Sequence, residues 1–332
     1  LSLPLVDSVS PVIVVRDLSV SPWPEQRCVL TIGAYDGVHR GHQAVIAAVR
    51  EQAKSQNALS VVVTFDKHPA SVVRPESAPL LLTDLEQKIE LLSTTGVDAV
   101  VVVPFNEEQA TENPEAFVKR VLVDCLHVQH IVVGEDFHFG KNRSGNVALL
   151  RTEGAKYGFT TGPLDLLARE DGVEEPISST AIRRALRGGE IDTATALLGH
   201  SFEVRGPVIT GDQRGRTIGF ATANVQVPGF ICLPADGVYA GIYTRPSGER
   251  YACAINLGRR PTFYEHSNSS LLEAHLIDES IDLYGEDAKV QFTHFLRSER
   301  KFNGPDALIA QVKLDVDHAR ELIKSLPPGT RP

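Results

Sequence analysis

Between Cys28 and about Leu166 the chain alternates short runs of β-branched residues with longer amphipathic stretches, and few folds accommodate that alternation. The runs are Val29–Gly33, Ser60–Phe65, Ala99–Val103 and His130–Gly134. Between them, His42–Gln56, Thr83–Thr94 and Pro114–Leu126 carry apolar residues three and four apart, the spacing of a helix that buries one face. Stacked βαβ units of this kind predict an α/β, Rossmann-like domain: a parallel sheet with helices on both faces and ligands beyond the carboxyl ends of its strands. Two further helices, Ser179–Arg187 and Asp192–Leu198, close this half.

After Gly199 the texture changes. Strand-like runs at Phe202–Ile209, Val238–Thr244, Tyr251–Ile255, Leu271–Ile277 and Val290–Phe295 are separated by Gly, Pro and Asp turns, which predicts a compact antiparallel barrel or sandwich. A last helix from about Asp306 to Ser325 would cover one side. With 332 residues, two domains are expected, and the change of texture sets their bounds: an N-terminal extension over 1–27, the α/β domain over 28–198 and the mainly antiparallel domain over 199–332.

Charge and cysteine usage exclude several classes of function. The formal net charge of −9, without a basic stripe in either half, argues against long nucleic acid as a partner and leaves room for a small phosphorylated ligand bound at a local positive site. No apolar run reaches the roughly 18 residues of a membrane span. Cys28, Cys125, Cys232 and Cys253 form no C-x-x-C pair, so zinc and redox-couple readings fail and a reducing, cytoplasmic compartment is expected. Composition does not address oligomeric state.

Two segments carry the chemistry. The first, Thr31-Ile-Gly-Ala-Tyr-Asp-Gly-Val-His-Arg-Gly-His42, leaves the first strand and enters the first helix. Gly33, Gly37 and Gly41 let backbone approach a ligand closely, and His39 and His42 stand at a helix start, where N–H groups face an anion. Two imidazoles placed there can donate to phosphate oxygens whose charge grows in a transition state. An isolated H-x-x-H is more often a pair of surface histidines, and His127 and His130, which span a helix end and the following strand without a glycine turn, are expected to be structural; strand, glycine turn and helix together favour function at His39 and His42. The second segment, Gly215-Arg-Thr-Ile-Gly-Phe-Ala-Thr-Ala-Asn224, offers a hydroxyl and an amide two residues apart. On an extended strand Thr222 and Asn224 face the same side and can converge on one ion, and magnesium prefers such oxygen ligands.

GAYDGVHRGH resembles the G-x-F-D-G-x-H-x-G-H signature of the HxGH nucleotidylyltransferases, in their flavin adenylyltransferase branch, and Ile177-Ser-Ser-Thr-Ala-Ile-Arg183 resembles a second motif of that superfamily. A Ser or Thr before an apolar run is also an ordinary helix cap, and both readings can hold at once. Thr64–Pro69 (TFDKHP, with Lys67 in place of proline) and Gly134–Gly145 (GEDFHFGKNRSG) resemble the segments that help hold the flavin in that branch. In the second half, the Gly215–Asn224 run, with Ala221 in place of proline, resembles the riboflavin kinases. So do Asp236–Gly241, Asn256–Phe263, Glu273-Ala-His275 and Asp282–Gly285.

These resemblances imply a member of the prokaryotic bifunctional riboflavin kinase and FAD synthetase family, with ATP as co-substrate, Mg2+ as cofactor, and riboflavin, FMN and FAD as partners. They assign catalysis to His39, His42, Ser179, Thr180, Arg183 and Glu273, the last as the base for the ribityl 5′-hydroxyl. Gly33, Tyr35, Asp36, Gly37, Asp66, Asp136, Gly215, Gly219 and Asn256 are implied to bind nucleotide or flavin, and Thr222 and Asn224 the metal. Two other readings are open to the residues: an HxGH transferase for another phosphorylated substrate, and a flavin-binding regulator without catalysis.

Overall fold

A computed structural model describes residues 11–164, 175–211, 219–259, 270–327 and 330–332. The chain divides into two compact units between Ile177 and Ser178.

The first unit holds a six-stranded parallel sheet. Its strands are β1 (Ile13–Val15), β2 (Cys28–Ile32), β3 (Leu59–Phe65), β4 (Ala99–Val103), β5 (Val128–Gly134) and β8 (Thr160–Leu164), side by side in the order β1-β4-β3-β2-β5-β8. β2 and β4 are buried at every position, which is why their sequences are continuous apolar runs rather than alternations. α1 (Arg40–Ser55) follows β2 and buries Ile46, Val49 and Ala53. The short helix α2 (Pro69–Val73) leads on to α3 (Leu85–Thr94), whose start is capped by Asp84 accepting from the Gln87 N–H at 2.8 Å.

The expected third helix is more complex. α4 (Glu107–Ala110) precedes it, α5 (Pro114–Phe117) begins it, and from Val118 to Cys125 the winding widens to a π-helix that still buries Val118, Val121, Leu122 and Cys125. A two-stranded hairpin, β6 (His138–Phe139) with β7 (Gly145–Asn146), and α6 (Val147–Tyr157) complete the unit.

The second unit begins with α7 (Ser179–Arg187) and α8 (Ile191–Leu198). Then come β9 (Phe202–Ile209), β10 (Ala223–Val225), β11 (Gly237–Thr244), β12 (Arg250–Arg259), β13 (Ser270–Leu276) and β14 (Asp287–Arg297), all antiparallel to their neighbours and closed into a barrel in the order β10-β13-β12-β11-β14-β9. Phe202, Phe292 and Tyr239 fill the interior with edge-on and tilted ring contacts 5.2–6.0 Å apart. The C-terminal helix Pro305–Ser325 lays Val316, Ala319 and Ile323 over the small outward residues Ala240 and Ala254. A partly buried ion pair fixes its rotation: the Arg297 guanidinium donates to both oxygens of Asp315, and the Gln311 side-chain amide also donates to that carboxylate at 2.8 Å. α8 packs on β9 and β14, so the two helices that the sequence reading grouped with the α/β half lie in the compact unit of the barrel.

Candidate active sites

The first site lies where the sheet order reverses. β2 and β5 are neighbours, yet the chain runs from β2 to β3 and β4 on one side before returning to β5 and β8 on the other. The crevice beyond the carboxyl ends of β2 and β5 is therefore a topological switch point.

The turn that leaves β2 there is held in a conformation few sequences tolerate: Tyr35, Gly37 and Val38 all have positive φ (51°, 82° and 40°). Long-range contacts support it. One buried oxygen of Asp36 accepts from the backbone N–H groups of Leu82 (2.9 Å) and Thr83 (3.1 Å), and the Gly37 N–H donates to the Thr83 hydroxyl at 3.2 Å. The Tyr35 ring is buried, its hydroxyl 2.7 Å from that of Thr31 on β2, and desolvation pushes its ionisation above the ordinary phenol range. Gly33 extends β2 by donating to Val63, and a Cβ there would meet the Tyr35 ring at 3.0 Å.

At the end of the turn His39 caps α1. Its Nδ1 accepts from the His42 N–H at 3.3 Å, so the Nε2 atom carries its proton. The two imidazoles stack with centroids 3.6 Å apart at 18°, and the Tyr35 ring lies against His42 at 4.8 Å. Gly41 permits this approach, since a Cβ there would meet the His39 ring at 3.2 Å. Burial first, then the repulsion that would arise between two protonated imidazoles and the charge of Lys88, hold the His42 imidazole well below its ordinary value, so it is neutral at physiological pH. Its Nδ1 is buried with no hydrogen-bond partner among the described residues. The pair is thus a stack of imidazoles at a helix N-terminus, an arrangement that can donate to phosphate oxygens.

The flavin-branch segments leave neighbouring strand ends. Asp66 follows β3, and one of its oxygens accepts from the backbone N–H groups of Lys67 and Phe105, both at 2.7 Å, which ties the ends of β3 and β4 together. Asp136 is exposed in the turn after β5, its carbonyl 2.7 Å from the His138 imidazole. His130 lies on β5 with its imidazole 2.6 Å from the Thr160 hydroxyl on β8, a structural pairing. In the second unit, Ser178 caps α7 by accepting from the Ala181 N–H at 3.2 Å. Ser179 and Thr180 thereby occupy the first turn and Arg183 the buried face one turn on.

The second site is a row on the outer surface of the barrel. Asn224 on β10 is paired with Glu273 on β13, and Glu273 with Asn256 on β12, so the three side chains share one face across three strands. Ala223, Ala274 and Ile255 alternate with them toward the interior. Thr222 stands two residues before Asn224 in a pocket that also includes Leu276, Asp282 and Tyr284.

Asn224 is 5% exposed, yet among the described residues its side-chain carbonyl oxygen has no hydrogen-bond partner. Gly211 makes room for it, because a Cβ there would fall 2.5 Å from the Asn224 amide. An unpartnered amide oxygen beside a threonine hydroxyl suits a hard cation such as Mg2+. Among the described residues no cluster of three or more His, Cys, Asp or Glu side chains could hold a metal ion. His275, on the same strand as Glu273, is anchored to the Ala221 carbonyl at 2.8 Å and sits edge-on to Phe220. Gly219 has φ of 87° with open space around it, and Gly215 lies outside the described residues.

Sequence reasoning missed Thr83 and Lys88, both buried against the first site. Lys88 carried a readable signal: with Leu85, Ile89 and Leu92 it falls on the apolar stripe of α3, where a lysine is out of place.

Comparisons with known proteins match two successive stretches of the chain to two different families. A family model for FAD synthetase matches residues 21–181, and one for riboflavin kinase matches residues 198–323. A bifunctional riboflavin kinase/FMN adenylyltransferase of Listeria monocytogenes is 37% identical over 93% of this chain and 96% of its own. One from Escherichia coli K12 is 39% identical over 91% of this chain and 95% of its own. A solved structure described as a macrolide-efflux protein from Streptococcus pneumoniae matches with a TM-score of 0.81 and 27% identity, covering 93% of this chain and 99% of that one. No described helix is long and apolar enough to cross a membrane.

Proposed function

The chain belongs to the family of bifunctional riboflavin kinase/FMN adenylyltransferases, and on that premise we propose which of its residues carry each reaction. The enzyme phosphorylates riboflavin with ATP to give FMN and ADP, and joins FMN to the AMP of a second ATP with release of pyrophosphate.

In the kinase reaction Glu273 takes the proton of the ribityl 5′-hydroxyl as that oxygen attacks the γ-phosphorus. The observation that carries this reading is the row Asn224, Glu273, Asn256, which sets one carboxylate beside an amide whose oxygen has no hydrogen-bond partner among the described residues. Thr222 and Asn224 would hold Mg2+, which when bound spreads the negative charge of the phosphoryl group in transfer. Gly219 and Asn256 contribute to nucleotide binding, and Gly215 is assigned to it by its motif alone.

Adenylyl transfer needs no enzyme nucleophile, because the FMN phosphate itself attacks the α-phosphorus. The protein's part is alignment and charge stabilisation. His39 donates from Nε2, and the neutral His42 stacked on it faces the same phosphate. Gly33, Tyr35, Asp36 and Gly37 hold the shape of the turn; the hydrogen bonds of the Asp36 carboxylate to Leu82 and Thr83 make its role the support of backbone. Asp66 and Asp136 belong to the loops that flank the flavin. Ser179, Thr180 and Arg183, at the capped start of α7, present hydroxyls and a guanidinium of the kind that binds phosphate.

Four buried free cysteines suit a cytoplasmic enzyme. We place the boundary between the two activities at residues 198 and 199. Product analysis with riboflavin, ATP and Mg2+ tests the whole reading: the full chain gives FMN and then FAD, whereas residues 199–332 give FMN alone. A folded 199–332 fragment without kinase activity would show that the kinase reaction needs α7 and α8.

A further inference from the structure

Lys88 is 8% exposed, and a buried ammonium group must be compensated or it loses its charge. Its Nζ donates to two backbone carbonyls on neighbouring strand ends: that of Ala34, at the start of the glycine turn after β2 (3.2 Å), and that of Phe65, immediately before Asp66 (2.8 Å). The charged and titratable groups that face it are Asp36 from the turn, Asp66 after β3, and His42 from α1, whose imidazole the lysine's charge pushes toward the neutral form. The same stretch of chain supplies the partners of Asp36 and Gly37 through Leu82 and Thr83. Neither hydrogen bond of Lys88 caps a helix or completes a sheet ladder; both end on the segments that leave the two strands.

We propose that Lys88 is a positioning residue for adenylyl transfer, fixing the glycine turn and the Asp66 segment relative to one another and setting a buried positive charge close to His42. The inference rests on the assignment of adenylyl transfer to the His39–His42 turn. Two carbonyls held by one cation are joined by charge-assisted hydrogen bonds, which are about twice as strong as neutral ones. Burial pushes the lysine down to about 8, against the opposing pull of Asp36 and Asp66. The ammonium is therefore charged below that pH and neutral above it, so the tether weakens and the positive field is lost as pH rises through about 8.

The test follows kcat and KM for adenylylation of supplied FMN from about pH 6.5 to 9.5 in wild type, Lys88→Met and Lys88→Arg, with riboflavin phosphorylation measured on the same preparations. Wild type loses adenylyl transfer through about pH 8. Lys88→Met lowers its kcat by about 10²-fold with a smaller effect on KM, the cost typical of a slightly misplaced site, and abolishes the alkaline limb. Lys88→Arg recovers part of the rate and has no limb near that pH, because a guanidinium does not titrate there. Kinase activity is unchanged throughout.

A wild-type profile that stays flat to about pH 9.5 overturns the proposal whether or not either variant folds, and so does a folded Lys88→Met chain with wild-type kcat. If His42→Ala also leaves adenylyl transfer intact, the failure belongs to the assignment of the turn rather than to Lys88.

Discussion

Glu273→Gln lowers the turnover number for FMN formation by about 10²- to 10⁴-fold while riboflavin binding changes little, the range by which a positioned general base accelerates proton transfer. Glutamine keeps the size of the side chain and part of its hydrogen bonding but cannot accept the proton. The site around it stays intact, because the pairing of Asn224, Glu273 and Asn256 is set by backbone register rather than by the carboxylate. Adenylylation of supplied FMN persists, since the glycine turn lies in the other compact unit. Steady-state kinetics of the purified variant decide the matter: wild-type kcat with a much weaker riboflavin Kd makes Glu273 a binding residue and removes it from proton transfer.

His42→Ala lowers FAD formation from supplied FMN by about 10²-fold or more, the scale set by loss of one donor to a developing phosphate charge. The structure gives the loss two sources. The imidazole itself goes, and so does the ring on which His39 stacks at 3.6 Å, leaving the remaining histidine less firmly aimed. The capping bond survives, because it runs from the His42 backbone N–H to His39 Nδ1. α1 therefore still starts in place, and the effect is on rate rather than on folding. Near-normal adenylyl transfer in the folded variant returns His42 to the role of a structural residue.

The parallel half was legible in the sequence because its central strands are buried on both faces and so read as uninterrupted apolar runs; Ala99–Val103 lies where the run of valines places it. Elements that break this rule were not. β8 contains Gly162 and Pro163, which read as a turn, and β1 and β10 have only three residues each, too few to show a period. The π-helix over Val118–Cys125 buries the same apolar positions that a regular helix would, so spacing alone does not reveal the wider winding. A sandwich and a barrel share the same alternation of inward and outward residues. What closes this sheet is the pairing of β9 with both β10 and β14, which no local pattern records.

The candidate sites divide in the same way. His39 with His42, and Thr222 with Asn224, are close in sequence and announce themselves by spacing, whereas the partners of the turn, Thr83 just before α3 and Lys88 within it, come from more than forty residues downstream. Asp36 illustrates the limit: its place in the motif is plain, but only the fold gives its bonds to Leu82 and Thr83.

The central claim is that one chain carries two chemically independent sites, each of which fails alone. An equimolar mixture of His42→Ala and Glu273→Gln chains, supplied with riboflavin, ATP and Mg2+, tests it most directly. The first variant alone stops at FMN, the second alone leaves riboflavin largely unconverted, and the mixture makes FAD because FMN released by one chain is adenylylated by the other. A mixture of two folded variants that makes no FAD, or either variant alone completing the conversion at the wild-type rate, would contradict the account.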